Sequence, residues 1–327
     1  MAINRRTVIK GLGWSAAAPL VTLPRMARGQ GTYPNRPVRF IVPLAAGGGL
    51  DFVARIVGEY LSRGLGQQVY IENRTGAGGT IGIDMAIQAQ PDGYSLLVTN
   101  DNVASAPHVM RLNTDYLKNL MPVSLIGRQP QVLAVHPSFD VKTVAEMVAE
   151  VKKAGTMGCA TSGVGSNQHV LMEWFSKVAG VKLEHVPYRG AGQAINDLLA
   201  GHVKVAFLGP TAVLPHANAS KIRILAQSGE TRSPSMPDAP TLVETGYKDV
   251  TLESWYAAFA PLGTPEAIVA RLNAELEKAL ADPATQAAFQ KGATDTAGGP
   301  PEKLAAAARA DSAKYERLVR ELNIKLS

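Results

Sequence analysis

Short apolar segments alternate with amphipathic segments along most of the chain, and this alternation restricts the possible fold more than any other feature. The apolar run Val38–Val42 is typical of a buried strand, and apolar residues then recur at helical spacing over 53–61. Strands at 68–72 and 94–98 follow, with a helix between them that ends at Ala89. A βαβαβ succession of this kind predicts a parallel sheet covered by helices on both faces.

The same alternation resumes near residue 130 and predicts a second α/β unit. Its expected strands lie at 132–135, 157–160, 181–185, 203–208 and 222–226, and its expected helices at 143–153, 167–179 and 193–199. Past Trp255 the pattern predicts one strand and three helices, the first starting at Pro265 with Thr264 as its N-cap. Those helices bring no strands of their own, so we expect them to cover the first sheet.

A length of 327 residues fits two domains, and the pattern indicates where they divide. We expect residues 30–128 and 256–327 to form one domain and residues 129–255 the other. The chain would then cross between the domains twice, near 122–135 and near 250–260. A single cysteine, Cys159, excludes an intramolecular disulfide framework, so the fold must depend on its apolar core.

The net charge of +6 suggests a nucleic-acid or membrane-surface partner until its location is considered. Residues 1–29 hold five of the 33 basic residues and no acid, which leaves 28 basic against 27 acidic residues in the body. We therefore expect no nucleic-acid partner. An Arg5–Arg6 pair, an apolar run at 11–23 too short to span a membrane, and small residues at Ala27 and Gly29 predict an export signal.

The arginine pair resembles the twin-arginine export motif, and the alternative is an ordinary general-secretory signal with a chance arginine pair. We expect cleavage after Gly29, within a few residues. No cysteine lies near this point, which argues against a lipid anchor. Either export route leads to the periplasm of a Gram-negative cell.

Four glycine-rich segments follow predicted strands and open predicted helices, at 44–51, 75–80, 161–169 and 188–192. Glycine allows the backbone to approach a ligand closely, and a helix N-terminus offers free N–H groups with a partial positive charge. In open α/β sheets the ligand crevice lies beyond the carboxyl ends of the strands. One such loop alone is more often a plain strand–helix turn, but four divided between two domains predict a shared anion-binding cleft.

The standard nucleotide and catalytic motifs are missing from these loops. There is no P-loop, and Ile81 breaks the dinucleotide pattern, which favours a carboxylate over a phosphate. No nucleophile elbow is present, and Cys159 in its predicted strand is better explained as a core residue. The six histidines show no i, i+4 pair, so we expect no metal, no cofactor and no enzymatic activity.

Two further side chains have competing interpretations. Arg189 is placed to pair with a second carboxylate of the ligand, or it is a solvated arginine beside the cleft. Trp255 and Tyr256 near the second crossover could line the cleft, although packing at the hinge is the commoner role of such aromatic residues.

Several segments in a fixed order resemble one known family, the Bug family of extracytoplasmic solute receptors of tripartite tricarboxylate transporters. The resemblance runs from about residue 33 to the C-terminal helix. The segments that carry it are Tyr33-Pro34 with Arg36-Pro37-Val38, Ala46-Gly47-Gly48 with Asp51, Glu72-Asn73-Arg74, Gly76-Ala77-Gly78-Gly79, Pro91-Asp92-Gly93-Tyr94, Gly165-Ser166 with His169, His185-Val186-Pro187-Tyr188-Arg189-Gly190, Pro237-Asp238-Ala239-Pro240-Thr241 and Gly263-Thr264-Pro265.

The resemblance implies an α/β, two-domain periplasmic binding protein of the Venus-flytrap kind, with mostly parallel sheets and two interdomain crossovers. Such a receptor closes on a small organic acid, holds its carboxylate and delivers it to membrane permease subunits, and we expect it to act as a monomer. Together the loops and the resemblance predict these ligand-binding residues: Leu44, Ala45, Ala46, Gly47, Gly48, Asp51, Thr75, Gly76, Ala77, Gly79, Thr80, Asn100, Ser162, Gly165, Ser166, Asn167, His169, Tyr188, Arg189, Gly190, Gly209, Pro210 and Thr211.

Departures from the family pattern occur at Leu44, Thr75, Gln168 and the Cys159-Ala160-Thr161 stretch, and we expect these sites to border the variable end of the ligand. Two other functions remain open. An exported sensor partner would use the same site to pass ligand to a receptor kinase, whereas an exported α/β hydrolase would need a nucleophile with its base.

Overall fold

The computed structural model describes residues 33–324, and the predicted export signal lies outside the described residues. From Pro34 onward these residues form one compact unit. None of the helices in residues 33–324 combines the length and apolar character that a membrane crossing requires.

The chain forms two mixed sheets surrounded by helices. The strands are β1 (Val38–Val42), β2 (Val69–Asn73), β3 (Ser95–Asn100), β4 (Leu120–Pro130), β5 (Val132–Val135), β6 (Met157–Thr161), β7 (Leu183–Pro187), β8 (Val205–Leu208), β9 (Arg223–Gln227), β10 (Glu253–Pro261) and β11 (Asp295–Thr296). The helices are α1 (Gly49–Leu65), α2 (Thr80–Ile87), α3 (Asn102–Val109), α4 (Val144–Ala154), α5 (Asn167–Ala179), α6 (Ala191–Leu199), α7 (Pro210–Asn218), α8 (Glu266–Ala281), α9 (Pro283–Lys291) and α10 (Pro301–Leu322).

Each sheet joins a parallel half to an antiparallel half, so the expectation of mostly parallel sheets was wrong. The first sheet has the order β11-β4-β10-β3-β1-β2, with β1 parallel to its two neighbours and β10 antiparallel to β3 and β4. The second has the order β7-β6-β8-β5-β9, with β6 parallel to β7 and β8 and β5 antiparallel to β8 and β9. The strands that carry the chain between the sheets are β4, β5, β9 and β10, and they pair with their neighbouring strands only in the antiparallel direction.

Both crossovers lie close to the predicted positions. Only Gln131 separates β4 of the first sheet from β5 of the second, and the chain returns between β9 and β10. The exact division into residues 129–255 and the rest stays a prediction.

Most predicted elements are present, and the differences have local causes. Helix α5 agrees with the prediction at both ends, whereas α3 and α7 were missed because each contains an internal proline, Pro107 or Pro215. Thr264 does not cap α8: Pro265 is the N-cap residue, and the Thr264 hydroxyl donates back to the Pro261 carbonyl at 2.8 Å.

The C-terminal helices cover the first sheet only in part, and the expectation that they bring no strand was wrong, because β11 lies between α9 and α10 and pairs with β4. Helix α8 packs on α1 and β4, as expected, but α10 contacts α5 as well as α3 and β4. Helix α5 follows β6 of the second sheet. The last helix is therefore shared between the two halves, and one apolar core includes Leu97 of the first sheet and Val170 of α5.

Candidate functional site

A cavity of about 390 Å³ lies where several strands end and several helices begin. Its lining consists of Leu44, Ala45, Ala46, Gly48, Gly49, Leu50, Thr75, Asn100, Asn102, Gln129, Ser162, Ser166, Gln168, Arg189, Gly190, Ala191, Gly192, Gln193, Asn196, Gly209, Thr211, Ala212, Ser254 and Tyr256. All four glycine-rich segments singled out in the sequence contribute to it. No acidic side chain belongs to this lining, and Arg189 is its one charged residue.

Three helices begin at this cavity without a side-chain cap. Their N-cap residues are Gly48 for α1, Gly190 for α6 and Gly209 for α7, and none of these caps makes a side-chain hydrogen bond. The first turn of a helix has N–H groups with no partner inside the helix, and the helix dipole adds partial positive charge there. Since no carboxylate lines the cavity, these termini form a seat for an anion.

The predicted ligand residue Asp51 lies outside the cavity and supports the loop from behind. Its buried carboxylate is held by a two-point pair with Arg55, at 2.9 and 3.0 Å, and by the Gly47 N–H at 3.0 Å. Asn73 Nδ2 donates both to this carboxylate and to the Leu44 carbonyl. Burial alone would raise the pKa of Asp51, but the hydrogen bonds from Arg55, Gly47 and Asn73 outweigh it and lower the pKa.

The second glycine loop contributes less to the cavity than expected. Thr75 lines it, whereas Gly76, Ala77, Gly79 and Thr80 do not. The Thr80 hydroxyl donates to the Ala77 carbonyl at 3.0 Å, which closes the turn on itself. Sequence spacing alone could not show that only the first residue of this loop would face the ligand space.

In the loop before α5, the Ser166 hydroxyl and the Gly165 backbone groups already have hydrogen-bond partners within the protein. Ser166 lines the cavity, but its hydroxyl caps α5 by accepting from the His169 N–H at 3.2 Å and donates to Gly163 at 2.7 Å. Gly165 lies outside the lining; its carbonyl accepts from Ser105 at 2.9 Å and its N–H donates to His169 Nδ1 at 3.3 Å.

His169 lies behind this loop, not in the cavity. Its ring stacks on His185 with 3.9 Å between centroids, and His185 Nε2 lies 2.6 Å from the Thr161 hydroxyl. Burial lowers the pKa of His169 to about 3 and that of His185 to about 4. Both rings are therefore neutral at physiological pH, and His169 supports the loop.

Asn167 belongs to a buried cluster around Asp101 instead of the cavity lining. Its Nδ2 donates to the Asp101 carboxylate at 3.0 Å and to the Glu253 carbonyl at 3.0 Å. The hydroxyls of Ser254 and Tyr315 donate to the same carboxylate. Burial raises the pKa of Asp101 despite these hydrogen bonds. The cluster joins α5 to β10 and α10.

Of the remaining predicted ligand-binding residues, some line the cavity and others lie outside its lining. Gly190, Gly209 and Thr211 line the cavity, but Gly47 and Pro210 do not. The Tyr188 hydroxyl donates to Asp197 at 2.6 Å, away from the lining. The other predicted residues in the lining are Leu44, Ala45, Ala46, Gly48, Asn100, Ser162 and Arg189.

Of the polar floor of the cavity, sequence reasoning named only Tyr256, as a residue that could line the cleft, and it missed Gln129 and Ser254; Trp255 is not in the lining. Gln129 on β4 and Ser254 and Tyr256 on β10 belong to it, and Ser254 lies directly opposite Gln129 in the antiparallel pair. Gln168, a departure from the family pattern, lines the cavity, and its Nε2 donates to Gln131 Oε1 at 2.6 Å. Ser254 and Tyr256 are two residues apart on β10, so their side chains lie on the same face of the strand. This spacing was the sequence signal that could have identified both as cavity residues.

The single cysteine and the possible metal ligands can be located among the described residues. Cys159 is buried in β6, and burial raises the pKa of its thiol. Within residues 33–324, no group of three or more histidine, cysteine, aspartate or glutamate residues is placed to hold a metal ion.

Comparison with known proteins agrees with this geometry. Residues 53–324 match the family described as "Tripartite tricarboxylate transporter family receptor". The chain belongs to this family. It is 35% identical over 303 residues to the protein BugT of Bordetella pertussis, which covers 90% of this chain and 92% of BugT. The resemblance to the Bug family is thus confirmed.

Solved structures show the same fold. The periplasmic binding protein BugD is 31% identical, with a TM-score of 0.83 over 90% of this chain and 99% of BugD. The R. palustris protein Rpa4515, whose structure contains adipate, is 29% identical, with a TM-score of 0.87 over 90% of this chain and 99% of that chain. The predicted α/β binding-protein fold is confirmed.

Proposed function

We propose that this receptor captures a small organic carboxylate in the cavity described above and delivers it to a tripartite tricarboxylate-type permease. The observation that carries the proposal is the convergence of three uncapped, glycine-led helix N-termini on a cavity without acidic side chains. Such a site stabilises a carboxylate because free N–H groups and helix dipoles act together on one negative charge.

The relative Rpa4515 supports the choice of ligand class, since its structure was determined with adipate. Closure of the two halves around the bound acid would present a closed face to the permease. We place the receptor in the periplasm, exported by a twin-arginine-type signal, acting as a monomer and without enzymatic activity. Its body is nearly neutral outside residues 1–29, which fits a small-molecule ligand better than a nucleic acid.

Titration calorimetry on the chain from residue 30 onward tests the ligand class. The panel comprises malate, adipate, succinate and benzoate, each compared with its neutral amide, and thermal melting is measured with the same compounds. We expect at least one acid to bind and its amide to bind much more weakly, because the helix termini favour negative charge. Equal binding of acid and amide, or no binding and no melting shift across the panel, contradicts the proposal.

Export is tested separately in cells. Replacing Arg5 and Arg6 by lysine keeps the charge of the segment but removes the arginine pair, so periplasmic accumulation should stop if the twin-arginine route is used. Unchanged accumulation of the doubly substituted protein in the periplasmic fraction would contradict that route.

A further inference from the structure

The hydroxyl group of Tyr256 lies at the floor of the cavity. Tyr256 is on β10, directly opposite Asn100 of β3, and its side chain is buried among the lining residues. Its hydroxyl oxygen lies so close to Gly49, the first residue of α1, that a Cβ atom on Gly49 would overlap it. The hydroxyl therefore lies at one of the uncapped helix N-termini.

Gln129 holds this hydroxyl with a defined polarity. Gln129 Oε1 accepts from the Thr294 hydroxyl at 3.2 Å, and Gln129 Nε2 donates to the Tyr256 oxygen at 2.5 Å. The Thr211 hydroxyl also lies 3.2 Å from Gln129 Oε1, but its single proton has the Gly292 carbonyl as a nearer acceptor at 3.0 Å, so Thr211 does not fix the amide. The Thr294 hydroxyl decides this orientation of the amide. It is buried and makes no other side-chain hydrogen bond among the described residues, so a flipped amide would leave its proton without an acceptor.

The consequence is that the Tyr256 oxygen acts as an acceptor toward Gln129 and keeps its proton for another partner. Within residues 33–324, no protein acceptor takes that proton. Burial raises the pKa of Tyr256, so the hydroxyl stays protonated at neutral pH. One O–H donor is thus left at the floor, beside the Gly49 end of α1.

We propose that the Tyr256 hydroxyl donates a hydrogen bond directly to an anionic oxygen of the ligand, and that Gln129 is the positioning residue that keeps this proton available. The inference rests on the proposed carboxylate function and names a side-chain contact within it. In this arrangement the ligand carboxylate accepts hydrogen bonds both from the backbone N–H groups of α1 and from the Tyr256 hydroxyl. Hydrogen bonds to an ionised group are stronger than neutral ones, so this donor contributes measurably to affinity.

The first test is Tyr256→Phe, with Tyr116→Phe as the matched control. Tyr116 is also a buried tyrosine, but it lies outside the cavity lining. Affinity is measured by calorimetry for malate, adipate, succinate and benzoate, and melting temperature is recorded for each variant. We expect Tyr256→Phe to weaken the tightest acid by about 10- to 100-fold and Tyr116→Phe to leave its affinity unchanged.

The second test reverses the polarity of the positioning residue. In Gln129→Glu the new carboxylate can only accept, so Tyr256 would donate to it and the ligand would lose the donor. We expect Gln129→Glu to weaken binding at least as much as Tyr256→Phe. Adding Tyr256→Phe to Gln129→Glu should cause little further loss, whereas a merely structural role predicts independent losses that multiply.

The outcomes separate the two proposals. If the unmodified receptor binds none of the acids, the carboxylate function fails and this inference fails with it. If it binds an acid and Tyr256→Phe binds within about twofold of it, only the inference is overturned. Multiplying losses in the double variant overturn the role of Gln129.

Discussion

Two glycine-rich loops open helices beside the cavity, and they treat the helix N-terminus in opposite ways. At α1 the N-cap residue is Gly48, which has no side chain to offer, and the supporting carboxylate of Asp51 lies behind the loop. At α5 the N-cap residue is Ser166, whose hydroxyl accepts from His169 within the same loop. Glycine content alone therefore does not identify an anion seat, since the side chain at the cap position decides whether N–H groups remain free.

The largest expected loss of affinity comes from adding a side chain at Gly49, the first residue of α1. In Gly49→Ala the new Cβ would overlap the Tyr256 hydroxyl and lie 3.3 Å from the Thr211 hydroxyl oxygen. We expect affinity for the tightest acid to fall by about 100-fold, because overpacking of this kind costs about 1–3 kcal/mol. Calorimetry measures the loss, and melting temperature shows whether the fold persists.

Gly48→Ala is the control for this change. The backbone at Gly48 is extended, with φ at −87°, and the nearest atom to its new Cβ would be the Ala45 carbonyl oxygen at 3.8 Å. A comparable loss of affinity in Gly48→Ala would show that any side chain in this loop disturbs binding, and it would remove the distinction drawn for Gly49.

The α5 loop should reveal its structural role through pH. His169 has a folded pKa of about 3, against 6.5 for an ordinary histidine, so the unfolded chain binds a proton more readily over this range. Stability from this residue is complete above about pH 6.5 and decreases as pH falls, by about 2 kcal/mol at pH 5. The groups around His169 are His185, stacked on it, and Glu173, whose carboxylate oxygen lies 3.9 Å from Nε2.

His169→Gln should remove this part of the pH dependence, because glutamine does not titrate and can still accept from Gly165. Urea unfolding at pH 7 and pH 5 measures the difference for both proteins. If the unmodified protein and His169→Gln lose the same stability between pH 7 and pH 5, His169 is not the buried neutral histidine described here.

A smaller loss of affinity is expected from adding a side-chain cap to the N-terminus of α1. In Gly48→Ser the hydroxyl would cap α1 as Ser166 caps α5, and it would compete with the ligand for the same N–H groups. We expect affinity to fall by about fivefold and stability to rise by a few tenths of a kcal/mol, as typical for a serine in place of glycine at an N-cap. The Gly48→Ala protein again serves as reference, and tighter binding in Gly48→Ser would contradict the competition.

The smallest loss of affinity is expected from replacing Arg189, the exposed charged residue of the cavity lining. Arg189 is exposed, so water and salt screen its charge. Arg189→Gln should weaken binding by about two- to fourfold in low salt and by less at 0.5 M salt, since exposed ion pairs contribute about 0–1 kcal/mol. A large loss that does not depend on salt would instead place the guanidinium on the ligand itself.

The loops after the parallel strands could be predicted from the sequence, because glycine, strand end and helix start follow one another directly. Leu44, Ser162 and Gly190 line the cavity for this reason. The polar floor could not be predicted by the same rule, since Gln129 and Tyr256 lie on antiparallel strands that are far apart in the chain. Asp51 was predicted to bind the ligand, but its carboxylate is occupied by Arg55 on the same helix and by Asn73 of β2, and only the fold brings Asn73 to it.

The cluster around Asp101 has a consequence for how the two halves depend on each other. Its buried carboxylate comes from the segment after β3, while Asn167 of α5 supplies one of the three side chains that donate to it. A first half without α5 would lose that donor, and a buried acid with an incomplete set of donors destabilises the folded state. The halves are therefore not interchangeable modules: a hybrid joined at the crossovers would have to inherit Asp101 and Asn167 as a matched pair.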